Sequence, residues 1–276
     1  MGFALASGMG PHDCAMAGLP PTPPRNAAFS IAACAYFTGA IALFLIYMSP
    51  QALAQSQPVQ PFSVAPEGPP PPPWRIVGLP GSTKPRTEFD IVQLGTERVL
   101  RVRADRSYAN LTHKLASANT GYTLRWRWRL DQAVAGADLR TKNGDDSPIK
   151  VCALFDLPLE KLGFVERNLL RLARAASGEN LPGATLCYVW DQKLATGTEL
   201  PNAFTRRMRY LVLNSSNAPL QQWVNHTRDL RADFLRSFGV ESSTVPPLMA
   251  ILVGADADNT AQSSLAYVGD VSLMEQ

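Results

Sequence analysis

Apolar and polar residues alternate along much of this chain. Over residues 123–131, Leu124, Trp126, Trp128 and Leu130 alternate with Arg125, Arg127, Arg129 and Asp131. That period of two predicts a half-buried β-strand with one core face and one basic face. Strand-like runs recur at 99–103, 149–155, 186–190, 210–213, 248–253 and 265–273, with turn-forming residues between them. The period changes twice. Leu162, Val165, Leu169, Leu172 and Ala176 fall at helical spacing before a stop at Gly178, and Leu230, Phe234 and Phe238 form a second stripe that ends at Gly239. Short strands with two inserted helices predict a mainly β fold, a two-sheet β-sandwich of jelly-roll type.

The N-terminal part follows another pattern. No charge occurs between Arg25 and Glu67, and an apolar core at 27–48 is followed by a breaker, Pro50, and by Ala52-Leu53-Ala54. This is the layout of an export signal cleaved after Ala54. The apolar run is also long enough to cross a bilayer, so the alternative is an uncleaved N-terminal anchor, which would be the chain's one contact with a membrane. Cys34 resembles a lipoprotein processing site, but the strongest apolar residues follow it, and lipidation is not expected. Residues 55–73 are rich in Pro and Gln and close on five consecutive prolines, Pro69 to Pro73, which predicts an extended spacer. The expected organisation is a signal or anchor over 1–54, a linker over 55–73 and one β-sandwich domain over 74–276. It places the protein in the periplasm or cell envelope.

Charge and cysteine content narrow the function classes. The 26 Lys and Arg nearly balance the 23 Asp and Glu, leaving a net charge of +3, and the mixture along the chain gives no argument for a nucleic-acid partner. Processing would leave Cys152 and Cys187, both in strand-like runs. An oxidising compartment permits a bridge between them, and two buried free thiols fit equally well.

Three polar segments carry candidate chemistry. In the segment 138–146, Lys142 precedes the paired carboxylates Asp145 and Asp146, an arrangement that can hold an acid and a base together for proton transfer on a sugar or ester. The plainer reading is a salt-bridged loop. In 256–260, Asp256 and Asp258 stand at alternate positions, and such oxygens can converge on calcium. The segment is not an EF-hand, because Ala261 replaces the required glycine and Tyr267 the terminal glutamate; an Asx-type turn is the alternative. Asp270, between Val268 and Val271 after Gly269, needs a cation or backbone donors as partners.

Together these segments resemble a bacterial family, the domain of unknown function 3047. The likeness is carried by 138–142 with Gly144-Asp145-Asp146, by 181–186 with Tyr188-Val189-Trp190, by Arg228-Asp229 with Asp233-Phe234 and Phe238-Gly239, and by 256–260 with Gly269-Asp270. It spans residues 74–273 and implies membership without an activity. The ending 267–273 is similar to the last strand of jelly-roll carbohydrate-binding modules. Gly269 stands where those modules often carry the first of two acids, a departure that weakens any carry-over of their calcium site.

Other chemistries find no support in the sequence. His113 and His226 lack paired zinc-ligand spacing, no Gly-x-Ser-x-Gly elbow accompanies Ser215-Ser216, and neither a phosphate-binding loop nor a dinucleotide fingerprint occurs. The expected function is a non-catalytic module binding a glycan or another envelope component. Arg127, Arg129, Lys142, Asp145 and Asp146 would contact the ligand, and Asp256, Asp258 and Asp270 would form an ionic or structural Ca2+ cluster. The first alternative is a polysaccharide lyase or hydrolase using Asp145 or Asp146 with Lys142. The second is a structural envelope protein.

Overall fold

The computed structural model of the protein describes residues 59–79, 81–115 and 122–275. The export segment and its cleavage position at Ala54 lie outside the described residues. Among the described residues, thirteen strands, β1 Trp74–Val77, β2 Glu88–Leu94, β3 Glu97–Asp105, β4 Tyr108–Lys114, β5 Tyr122–Gln132, β6 Lys150–Phe155, β7 Ala184–Trp190, β8 Glu199–Pro201, β9 Met208–Asn214, β10 Trp223–Asp229, β11 Leu248–Asp256, β12 Ser263–Val268 and β13 Ser272–Glu275, accompany two α-helices, α1 Phe164–Ser177 and α2 Leu230–Phe238. A seven-stranded sheet runs in the order β1-β4-β11-β6-β7-β9-β8. It faces a six-stranded sheet ordered β10-β5-β12-β3-β2, in which β13 also pairs with β5. All pairings are antiparallel except β7 with β9. The fold is a mainly β, jelly-roll-like sandwich, as the alternation predicts.

The core lies between the sheets because each strand sends every second side chain inward. Trp126, Trp128, Leu100, Val102 and Val268 from one sheet meet Leu111, Val151, Phe155, Tyr188 and Val253 from the other. A second apolar cluster, with Cys152, Cys187, Val189, Tyr210, Val212 and Leu252, covers the outer face of the seven-stranded sheet under Leu139 and Leu194. Strand β7 is therefore buried on both faces, and all seven of its residues are buried. Cys152 and Cys187, opposite each other in β6 and β7, form a disulfide with their α-carbons 4.0 Å apart. That closes the choice between a bridge and free thiols.

The helices contrast. Asp229 caps α2, its carboxylate accepting from the N–H groups of Arg231 and Ala232, and Leu230, Phe234 and Phe238 are buried, as their spacing predicts. Helix α1 ends where Gly178 adopts a left-handed conformation and its N–H donates to the Arg174 carbonyl. Only Leu170 of α1 is buried, whereas Val165, Leu169 and Leu172 are more than half exposed.

Two expectations need correction. From Val59 onward the supposed linker belongs to the sandwich: Val59, Phe62 and Ala65 enter the core, and Trp74 donates from its indole N–H to the Gln60 carbonyl at 2.8 Å. Proline stiffens this strap without preventing apolar side chains between the prolines from docking. The expected strand at 265–273 is broken at Gly269–Asp270 into β12 and β13, which both run along one edge of β5.

Candidate functional site

The outer face of the seven-stranded sheet gathers most of the acidic candidates. Register places Asn110, Gly254, Lys150 and Val189 in one row across β4, β11, β6 and β7. Gly254 is required there, because a Cβ would stand 2.3 Å from Asn110 Oδ1 and 2.9 Å from Lys150 Cε. The buried Lys150 ammonium donates to Asp256 Oδ2 at 2.7 Å, and Asp256 Oδ1 accepts from the Ser147 N–H at 2.7 Å. Burial opposes the lysine charge, but the Asp256 carboxylate and the Tyr108 and Asp145 groups outweigh it and raise the Lys150 pKa above its ordinary value. Burial pushes the Asp256 carboxyl up to about 6 against the lowering pull of Lys150. At neutral pH both groups are therefore charged.

The Lys142–Gly144 turn positions Asp145 and Asp146 differently. Asp145 accepts from Asn202 Nδ2 at 2.5 Å and from the Tyr210 hydroxyl at 3.1 Å, and burial pushes its carboxyl up against the lowering effect of Lys150. Asp146 clamps the 256–260 segment. Its Oδ1 accepts from the Asn259 N–H and Nδ2, and its Oδ2 from the Thr260 N–H and hydroxyl, at 2.6 to 3.2 Å. The segments 138–146 and 256–260 thus meet. Lys142 departs from expectation: it is exposed, its ammonium lies 5.4 Å from the Phe204 ring centre, and the cation next to Asp145 is Lys150. Lys150 escapes a sequence reading because it sits inside an apolar strand run.

The acidic trio does not form a cluster. Asp256 is held by Lys150, Asp258 pairs with Lys84, and Asp270 accepts from the N–H groups of Phe62 and Ser63 at 2.7 and 2.9 Å. Among the described residues no three His, Cys, Asp or Glu side chains are arranged to hold a metal ion. The expected calcium cluster of Asp256, Asp258 and Asp270 is corrected accordingly. Their shared chemistry is anchoring: each fixes a loop or strap, and Asp270 ties residues 62–63 to the β12–β13 break.

Arg127 and Arg129 lie on the other side of the sandwich, on the outer face of the six-stranded sheet. The Arg127 guanidinium pairs with Glu97 and sits 4.6 Å over the Trp223 ring. Gly269 makes this possible, because a Cβ there would come within 2.8 Å of Arg127 Cγ and Nε. Arg129 is held by Asp131 at 2.7 and 3.0 Å, with Tyr267 at 5.8 Å from its guanidinium carbon. Beside Arg127 an open groove of about 870 Å³ is lined by Gln93, Arg98, Arg125, Asn225, Thr227 and Asp270, among others. Glu97 and Asp270 are engaged, whereas among the described residues Arg98, Arg125 and the lining carboxylate of Glu67 have no ion-pair partner. Two unpaired guanidinium groups therefore stand against one unpaired carboxylate in this groove.

The family of proteins of unknown function DUF3047 matches residues 72–272. The chain belongs to that family. Among curated proteins none matches. Solved structures similar to this DUF3047 protein include the xyloglucanase domain of NopAA from Sinorhizobium fredii in complex with cellobiose, at 6% identity and TM-score 0.39, with 74% of this chain and 93% of that chain covered. Another is a carbohydrate-binding module, TmCBM61, in complex with β-1,4-galactotriose, at 8% identity and TM-score 0.33, with coverage of 74% and 90%. The catalytic domain of Humicola grisea Cel12A aligns at 9% identity and TM-score 0.39, with coverage of 74% and 93%. At such scores these likenesses carry no argument about ligand or activity.

Proposed function

We propose that this DUF3047 protein is exported to the cell envelope and that its six-stranded sheet binds an acidic glycan without cleaving it. The observation that carries this reading is the Arg127 guanidinium stacked over Trp223 at the side of an open groove that also contains the unpaired Arg98 and Arg125. A sugar ring lies on flat aromatic and guanidinium surfaces while its hydroxyls find amide and guanidinium donors, and a uronate carboxylate matches an arginine fork. Asn225 and Thr227 supply neutral partners in the same groove.

Affinity electrophoresis in gels containing acidic or neutral envelope polysaccharides tests this, with chain ends followed by mass spectrometry. Retention by an acidic polymer, reduced about tenfold by Arg125→Ala and by Trp223→Ala, is the expected result. Equal mobility in every gel rejects the binding role. New chain ends would instead mark an enzyme, a reading that has one specific support in the raised carboxyl of Asp145 beside Lys150. In that reading Asp145, only 5% exposed, acts once its Asn202 and Tyr210 cover opens, and Asp145→Asn abolishes cleavage.

A further inference from the structure

The outer face of the seven-stranded sheet also carries an apolar trench that the glycan reading does not use. One part, of about 690 Å³, is floored by Leu154, Met249, Ala250 and Leu252 and walled by Ala173 and Ala176 of α1. A second, of about 620 Å³, continues past Leu169, Leu170 and Phe204. The two share Ala173, Leu181, Pro182, Thr185 and Met208, so they form one channel alongside the helix. It crosses the strands from Val77 of β1 to Met208 of β9. Five strand spacings of about 4.8 Å make this a run of about 24 Å, against about 20–22 Å for one leaflet of a bilayer including its head groups. Leu169 and Phe204, 61% and 58% exposed, extend the apolar lining to the mouth.

The charges at both mouths have the same sign. Near β1 and β4, Arg75 and Lys114 share the single carboxylate of Glu179, at 3.1 and 3.8 Å. At the other mouth Arg206 and Arg207 line the cavity with one carboxylate, Glu166, at 4.0 and 2.8 Å, and Arg207 also reaches Glu241 behind the lining, which pairs with Arg209. Cations exceed carboxylates at each end of a channel whose lining between them is mostly apolar, with Asn110, Thr112 and Thr185 as neutral polar members.

We propose that the trench binds a single-chain anionic amphiphile of the fatty-acid class, with the alkyl chain along the sheet under α1 and the head group at one of the cationic mouths. The length of the channel, its apolar floor and the excess positive charge at its ends each select for that chemistry. This site is on the opposite side of the sandwich from the Arg127 groove, so it stands or falls independently of glycan binding.

Calorimetric titration of purified full-length protein with hexadecanoate, kept below its micelle concentration, tests the proposal. Saturable binding is expected, weakened about tenfold or more when hexadecyltrimethylammonium carries the same chain on a cationic head. Ala173→Trp, at an exposed helix position facing both parts of the trench, is expected to weaken hexadecanoate binding about tenfold while leaving the melting temperature unchanged. Ala176→Trp blocks the β1 end from the same helix, should Ala173→Trp fail to fold. Lys114→Glu and Arg206→Glu identify the head-group mouth, the one whose variant binds more weakly.

Absence of saturable hexadecanoate binding, equal affinity for the cationic amphiphile, or full affinity in a folded trench-blocked variant would each overturn the assignment. Sedimentation with phosphatidylglycerol vesicles distinguishes the other lipidic outcome. Vesicle binding lost in Leu169→Glu, without hexadecanoate binding, would make α1 a membrane-surface helix and the trench assignment wrong.

Discussion

Lys150 and Asp256 meet across neighbouring strands at 2.7 Å, with side chains only 3% and 6% exposed. Neither charge can be solvated alone, so the pair is stable only as a pair. Asp256→Asn should destabilise the domain by about 3–5 kcal/mol, because it leaves a buried ammonium without its counter-charge. A Lys150→Met, Asp256→Leu double substitution should recover much of that loss. Urea unfolding of the three proteins checks it, and a double variant no better than Asp256→Asn would show that the pair also fixes the surrounding loops.

His226 should weaken the fold in acid. Burial, and then the Arg228 charge, bring its pKa down from 6.5 to about 4. Its Nε2 donates to Asn214 Oδ1 at 3.0 Å, an oxygen that also accepts from the Trp128 indole at 2.8 Å. Between about pH 6.5 and 4 the unfolded chain binds a proton at this residue that the folded chain excludes, so its contribution is present above that window and lost as pH falls through it. His226→Gln keeps a donor for Asn214 and removes the imidazole's term alone. The stability advantage of the parent over this variant should shrink from pH 7 to pH 4.5 in urea titrations; an advantage that stays constant would mean that the imidazole is not held neutral.

Gly269 and Arg127 couple the fold to the proposed glycan surface. A methyl group at Gly269 would stand 2.8 Å from Arg127 Cγ and Nε, so Gly269→Ala should push the guanidinium off Trp223 and away from Glu97. Loss of about tenfold in retention by acidic polysaccharide is expected, with a stability change of about 1 kcal/mol. Affinity electrophoresis beside thermal unfolding separates the two. Unchanged retention would remove Arg127 from the binding surface.

The parts of this fold legible in the sequence are those whose inward positions are apolar. Strand β5 shows its alternation plainly, and β6, β7 and β11 appear as short apolar runs. Strand β10 does not: Val224, His226 and Arg228 face inward, opposite Trp128, Trp126 and Leu124. The polar members are satisfied by Asn214 and Asp233, partners distant enough to be invisible to a local pattern. The same limit applies to the candidate site. Segments 138–146 and 256–260 could be nominated from their composition, but Lys142 is the nearer cation only along the chain. Strand register brings Lys150 to an aspartate 106 residues away. The helical stripe of α1 was legible as a helix, yet spacing alone cannot say whether an apolar stripe faces the core or lines a trench.

The Cys152–Cys187 bridge should contribute measurably to stability. It closes a 35-residue separation, for which chain entropy gives about 4 kcal/mol, a value that depends on the model of the unfolded state. A Cys152→Ala, Cys187→Ala double variant should therefore unfold at lower urea than the parent, and dithiothreitol should lower the parent's midpoint while leaving the variant's unchanged. Equal midpoints for parent and variant under oxidising conditions would contradict a stabilising bridge.

The strap at 59–73 gives the last test, because it decides where the folding unit begins. Phe62 is fully buried and packs on Trp74 with ring centres 4.9 Å apart. Its N–H and that of Ser63 are anchored by Asp270, more than two hundred residues away in sequence. Truncating Phe62 to Ala should cost about 3–5 kcal/mol, as for a buried aromatic side chain. Starting the chain at Trp74 should cost more, because it exposes the core beneath Val59 and Ala65 and leaves the Asp270 carboxylate without its donors. Two purified chains, one beginning at Gln55 and one at Trp74, can be compared by urea unfolding and by hydrogen exchange in β1 and β4. Equal stability would return residues 59–73 to the role of a spacer. A large loss confined to the shorter chain, with faster exchange beside His113, would establish the strap as part of the fold, because His113 Nε2 accepts from the Gln60 N–H at 3.1 Å.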